Sequence, residues 1–269
     1  MMNDIYNYFF YILNSIAINY KSWILLLLSI LVLGDFRPII LITFVIGMTS
    51  SHLIHYWHHF EHSYPHNIIH DYHHRFNLPF NHMIQVLLEF VSIAGIIPFK
   101  YYILDWFPDW SFFISLIDNW IVIYYYLFYT TIHNVNYSIF HVNNVHEIHH
   151  REVVKNMGPD ICDIMFCTKY RPEEGLENTD HYIPNIIFCT LTILSLKYVW
   201  NHSSKDYQEW YVFFSKWFFN LCVIFLLATS VCLYKMDIDQ AFERDVLKVG
   251  GRGIYIPPSL RETPSSLFH

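Results

Sequence analysis

The chain has 269 residues, of which 54% are hydrophobic, 19% aromatic and only 14% charged. Soluble domains carry about 25% charged residues, so this chain has too few charges to cover a water-facing globule of its size. Its net charge of −7 is spread along the sequence, and no basic stripe points to nucleic acid.

A spanning helix needs about 20 mostly apolar residues. In chain order the candidates are Tyr8–Leu33 (interrupted by Asn14, Asn19 and Lys21), Ile39–Trp57, Met83–Phe99, Phe112–Ile132, Ile183–Trp200 and Trp210–Tyr234. Gly34-Asp35-Phe36-Arg37-Pro38 separates the first two, and Pro98 and Pro108 bracket the turn between the third and fourth. The N-terminal run lacks a small-residue cleavage site and reads as a permanent anchor. From Asp237 onward, Gly250, Gly251, Gly253, Pro257, Pro258 and Pro264 predict a mostly irregular polar tail. Cys189, Cys222 and Cys232 lie in apolar runs as small hydrophobes. Cys162 and Cys167 lack C-x-x-C spacing, and no disulfide is expected.

The expected fold is therefore all-α: an integral membrane bundle of about four to six spanning helices. Residues 1–38 form an N-terminal membrane segment, and 39–181 a histidine-rich region with a membrane hairpin. Residues 182–236 supply C-terminal membrane helices, and 237–269 the tail. Arg151, Lys155, Lys169 and Arg171 in the Thr131–Tyr182 segment, with Lys235, Arg244, Lys248, Arg252 and Arg261 near the tail, place the histidine loops and the tail on the cytoplasmic side.

Histidine is the chemical signal. Nine histidines lie between Ser51 and Asn81, and three more close the run His146-Glu147-Ile148-His149-His150. That run and His70-Asp71-Tyr72-His73-His74 share the pattern H-x-x-H-H. Upstream lie two overlapping H-x-x-x-H pairs, His55/His59 and His58/His62. On a helix, residues at i, i+3, i+4 and i+7 share a face, so His55, His58, His59 and His62 form one imidazole stripe. H-x-x-H-H supplies two convergent ligands and a third turned away by about 100°, able to reach a second ion. Eight imidazoles are too many for one tetrahedral zinc, and two metals fit better. Glu61, Asp71, Glu147 and Glu152 are candidate acceptors for ring N–H groups. Two predicted spans separate the earlier clusters from the last. An even number of crossings returns the chain to the same face, so the clusters can meet. His82, His181, His202 and His269 read as surface or core residues.

These stretches resemble the fatty acid hydroxylase/sterol desaturase superfamily of integral membrane di-metal oxygenases. Tyr56-Trp57-His58-His59-Phe60-Glu61-His62 is similar to its first box, with His59 where an Arg is usual. His70–His74 followed by Pro79-Phe80 is similar to its second. His146–His150, Asn156-Met157-Gly158 and Asp163-Ile164-Met165-Phe166-Cys167-Thr168 are similar to its third. The likeness covers about residues 40 to 172. Cys167 stands where the family has glycine, and seven residues separate His62 from His70 where the family usually has about eight. Choosing His55/His59 widens that gap to ten, and the Tyr56-Trp57 anchor favours His58/His62.

The spacing and the resemblance together give His58, His62, His70, His73, His74, His146, His149 and His150 as metal ligands; His133, which follows a helix end and precedes the third cluster, is added from its position, with His55, His59 and His141 as further candidates. The resemblance implies two iron ions, with zinc able to replace them in purified protein, and O2-dependent hydroxylation or desaturation of a lipid such as a sterol or a fatty acyl or alkyl chain. No haem-binding HPGG stretch and no nicotinamide glycine fingerprint occurs. The electrons are expected from an external donor such as a b-type cytochrome and its reductase. An endoplasmic reticulum membrane is the expected location. The alternative is a non-redox metal-binding or metal-transport membrane protein, although transporters usually place their ligands near the midplane. Tyr124, Tyr125, Tyr126, Phe128 and Tyr129 read as an interfacial aromatic belt or as the lining of a lipid entry.

Overall fold

Asn19 shapes the N-terminal part of the fold. Helices α1 (Met2–Ile18) and α2 (Tyr20–Leu33) belong to one apolar run, yet the chain bends by 81° between them. Buried Asn19 sits at the bend. Its amide donates to the Glu177 carbonyl at 2.8 Å, and its Oδ1 accepts the Thr179 N–H at 2.8 Å. Left unpaired in an apolar interior, that amide would be costly. The computed structural model describes residues 2–59, 68–75, 79–107, 109, 111–152, 154–172 and 175–249.

Among the described residues, four helical stretches are long and apolar enough to cross a membrane: Ile39–His58, His82–Ile103, Asp180–Asn201 and Lys205–Met236. The bent α1–α2 pair makes a fifth if it counts as one span. The first stretch is α3 (Ile39–His58). The second combines α5 (Pro79–Glu89), a π-helical segment Phe90–Ala94 and α6 (Ile96–Trp106); α5 follows the short α4 (Ile68–Arg75). Pro98 therefore lies in the first turn of α6 and not in a loop. A missing N–H is tolerated there.

The expected span Phe112–Ile132 is not one helix. After α7 (Ser111–Ser115), α8 (Asn119–Thr130) starts afresh, capped by Asp118, whose Oδ1 accepts the N–H of Trp120 at 2.9 Å and of Ile121 at 3.2 Å. The chain then passes into a second π segment, Thr131–Tyr137, and on to α9 (Val145–Arg151) and α10 (Asp160–Met165). Helix α11 (Ile183–Asn201) precedes α12 (Lys205–Val249), which has 45 residues. The first part of the expected irregular tail is thus helical. No Gly or Pro interrupts the sequence from Asp237 to Val249, so nothing there breaks the helical hydrogen bonding.

The core joins α2, α3, α8 and α11 through Leu26, Ile30, Phe44, Ile121, Tyr125 and Ile186. Lipid is as apolar as these side chains, so close packing rather than exclusion of water holds such helices together. Tyr124, Tyr125 and Phe128 belong to this core, which corrects the interfacial-belt reading for those three. A second cluster packs Ile68 and Ile69 of α4 against Ile84 and Leu226. It anchors the short histidine helix α4 to α5 and α12.

Candidate metal centre

Three short stretches bring imidazoles together: the C-terminal end of α3, helix α4 and helix α9. One group contains His55, His59, His70, His74 and His149, and the other His73, His146 and His150. Within each group the donor atoms lie within 4.8 Å of one another, and such a group can hold a metal ion. The two H-x-x-H-H helices exchange ligands. Helix α4 gives its i, i+4 pair, His70 and His74, to the first group and His73 to the second. Helix α9 gives His146 and His150 to the second and His149 to the first. The groups adjoin, with the rings of His74 and His150 stacked 4.2 Å apart.

The donor geometry fits an ion. His70 Nε2 lies 3.1 Å from the Nε2 atoms of His55, His59 and His74. Two nitrogens each about 2.1 Å from one ion are separated by about 3.0 to 3.4 Å at octahedral and tetrahedral angles. A hydrogen-bond account fails, because one ring nitrogen has a single proton or a single lone pair and cannot satisfy three neighbours. The opposite nitrogens define the tautomers. His55 Nδ1–H donates to the Met157 carbonyl at 2.8 Å, and His149 Nδ1–H to the Lys155 carbonyl at 2.7 Å. A carbonyl only accepts, so the neutral rings turn unprotonated Nε2 atoms toward the centre. His70 Nδ1–H similarly donates to Gln85 Oε1 at 3.3 Å. In the second group, His146 and His150 approach to 2.8 Å between their Nε2 atoms.

Burial keeps these imidazoles neutral. It pushes His59 down to about 4, His150 to about 4 and His73 to about 2, with neighbouring histidines adding to the effect. His70, His74, His146 and His149 are lowered by the same causes in the same order. Metal ligands must be deprotonated, and at neutral pH these are.

The loop between α9 and α10 supplies the carbonyls and is itself held by Asp163. That buried carboxylate accepts the N–H groups of Met157 and Gly158, both at 2.8 Å, and the Thr168 hydroxyl at 2.7 Å. Buried His52 donates from Nδ1 to the Gly158 carbonyl at 3.0 Å. Further along, Ser15 of α1 donates to Asp160 at 2.9 Å, and Asp160 is ion-paired with buried Lys169. The bent N-terminal pair thereby braces the loop.

Glu177 lies in the same layer and accepts from Tyr137 at 2.5 Å and Asn143 at 2.8 Å. Burial, with help from Asp160, pushes its carboxyl up from 4.5 to about 7. Folded protein therefore retains a proton that unfolded chain releases between those values. Stability falls as pH rises through this window, by up to roughly 3 kcal/mol at one pKa unit per 1.36 kcal/mol. Glu177→Gln should flatten that dependence when thermal unfolding is followed from pH 5 to 8. An unchanged slope would refute the assignment.

The structure draws on the other H-x-x-x-H pair than the one the Tyr56-Trp57 anchor favoured. His55 and His59 are in the first group, and His58 is in neither, its ring 5.7 Å from that of His70. Both pairs have the same helical spacing, so only the way α3 meets α4 and α9 distinguishes them. His62 and Glu61 lie outside the described residues, as does the side chain of Asp71. His141 is exposed just after the turn at 138–140, with φ +47°, and stands apart from both groups. Glu147 and Glu152 are exposed on α9 and at its end.

His133 lies in the second π segment, buried, with its ring 4.6 Å from His146 and 5.5 Å from His73. Its Nδ1–H donates to Glu89 Oε1 at 2.5 Å. Sequence reasoning missed Gln85 and Glu89. The available signal was an acidic residue inside an otherwise apolar predicted span, which is expensive unless it has partners.

No protein-family model, curated protein or solved structure matches the chain.

Proposed function

We propose that this chain is a membrane-bound oxidoreductase that uses two iron ions and O2 to hydroxylate or desaturate a lipid chain. One observation carries the reading: an apolar cavity among candidate membrane-spanning helices adjoins a small pocket that His55 and His70 of the first imidazole group line. That cavity, about 320 Å³, lies between α3, the first π segment and α8, and Ile46, Gly47, Ile96 and Phe99 line it. It shares Ser51, Ile54, Ser92 and Ile93 with a small pocket that His55, His58 and His70 line. A hydrocarbon entering from the bilayer would thus be guided toward the first histidine group.

Iron bound at both groups would supply the oxidation of an unactivated C–H bond, with two electrons from outside. The chain's own residues do the rest. Carbonyls of Met157 and Lys155 hold the rings of His55 and His149. Ile54 and Ile93 orient the chain and keep water from it. A b-type cytochrome with its reductase is the proposed electron source. The cytoplasmic face of the endoplasmic reticulum is the proposed location, on the strength of Arg151 and Lys155 in the histidine loops.

The test compares lipids of cells expressing the chain with those of cells lacking it, followed by reconstitution with reduced cytochrome and O2. A hydroxylated or unsaturated product dependent on both supports the reading. Bound metal with no product and no O2 uptake would instead favour the metal-handling alternative. Within the same assay, Ile93→Trp should obstruct the passage and lower turnover by about 10- to 100-fold while leaving metal content unaltered. Full turnover in that variant would exclude this route for the substrate.

A further inference from the structure

Glu89 is a buried carboxylate between the two histidine groups. It ends α5 at the point where the first π segment begins, and faces Thr130, the last residue of α8 before the second. Such π turns shift the hydrogen-bond register of a helix and are frequent at functional sites. Five hydrogen bonds converge on this carboxylate. Oε1 accepts from His133 Nδ1 at 2.5 Å, Gln85 Nε2 at 3.3 Å and Asn134 Nδ2 at 3.3 Å. Oε2 accepts from Thr130 Oγ1 at 2.7 Å and from Asn134 Nδ2 at 3.1 Å. Gln85 then uses its own Oε1 to accept from His70 Nδ1 at 3.3 Å. An unbroken chain of side chains thus runs from His70 in the first group, through Gln85 and Glu89, to His133 beside the second.

We propose that Glu89 and Gln85 are positioning residues, one for each ion site: Glu89 orients His133 toward the second group, and Gln85, which donates to Glu89, orients His70 within the first. With its Nδ1–H donating to the carboxylate, His133 presents an unprotonated Nε2, and that atom is buried with no hydrogen-bond partner among the described residues. Among the described residues the two groups consist of imidazoles alone, and these ligands supply no charge balance to a bound cation. A carboxylate behind a ligating histidine raises its basicity and holds its ring, and losing such a partner typically costs 10- to 100-fold in metal affinity. Its neutral counterpart on the other arm, the Gln85 amide, orients His70 without adding charge. Glu89 therefore acts on the second site and Gln85 on the first.

The inference rests on the reading that the histidine groups hold metal, and not on lipid oxidation. The experiment is a stepwise Co2+ titration of detergent-solubilised, metal-stripped full chain, followed by visible absorption and total metal. Native protein should take up about two equivalents tightly. Glu89→Gln should weaken one of them by about 10- to 100-fold and leave the other in place. In a His150→Ala background, which disables the second group, Glu89→Gln should leave the remaining equivalent unchanged. Gln85→Leu should weaken the first-site equivalent instead. The proposal is overturned if Glu89→Gln titrates as native, or if both variants weaken the same equivalent. Should Glu89→Gln fail to give a monodisperse protein, Gln85→Leu decides: loss confined to one equivalent supports the proposal and a native titration refutes it. A chain that binds both equivalents but oxidises no lipid sinks the proposed reaction and leaves this inference intact.

Discussion

Replacing His70 by Ala should empty the first candidate site and, on the proposed function, abolish lipid oxidation with it. His70 Nε2 is the point on which His55, His59 and His74 converge, each 3.1 Å away. Helix α4 carries it, and Ile68 and Ile69 hold that helix against Ile84 and Leu226, so the other rings cannot close over the gap. Losing a directly coordinating nitrogen should weaken the site by more than the 10- to 100-fold typical of an outer partner. Metal content of purified His70→Ala protein is expected to fall from about two ions per chain to about one, with no lipid product above background. His149→Ala should behave alike, since His149 is wholly buried and its Nε2 has no other partner. Retention of both ions and of turnover in either variant would remove the basis for the first group as a site. Replacement of exposed His141 should change neither quantity.

Asp163→Ala is expected to have the largest effect on stability. Its carboxylate satisfies two backbone N–H groups, Met157 and Gly158, and the Thr168 hydroxyl, all buried or nearly so. The hydroxyl has a second acceptor within reach, His52 Nε2 at 3.5 Å. The two N–H groups have none. Each buried donor left unsatisfied costs about 1–3 kcal/mol, so the substitution should cost about 2–5 kcal/mol. For a chain of this size that lowers the unfolding midpoint by about 5–15 °C, readable by tryptophan fluorescence in detergent. Damage should extend to the metal centre, because the same loop presents the Met157 and Lys155 carbonyls to His55 and His149. Asp163→Asn should lose less, as its amide oxygen still accepts one of the two N–H groups. A midpoint unmoved by Asp163→Ala would show that water or a neighbouring group replaces the carboxylate.

Several features were legible in the residues alone. Hydropathy determined that the chain is all-helical with several spanning candidates, because a bilayer leaves few other ways to satisfy backbone polar groups. Helical spacing determined that each H-x-x-H-H divides. The two adjacent histidines of each motif point about 100° apart on a helix and cannot both face one ion, whereas the pairing of His70 with His74 and of His146 with His150 was decided by packing. The bend at Asn19 was hinted at by a polar residue within an apolar run, though not its partners, Glu177 and Thr179, which lie some 160 residues away.

Tertiary structure alone decided what spacing leaves degenerate. His55/His59 and His58/His62 are equivalent as helical pairs, and the placement of the end of α3 beside α4 and α9 brought His55 and His59 against His70 and His149. The apparent span at Phe112–Ile132 divided at Asp118 because that side chain caps a new helix, a local choice that window hydropathy cannot register. Glu89 and Asp163 acquired their roles from partners on other helices and loops. Periodicity is a property of one segment and can be read along it. Which faces meet, and which buried polar groups find partners there, depends on packing between segments, and that exists only once the chain has folded.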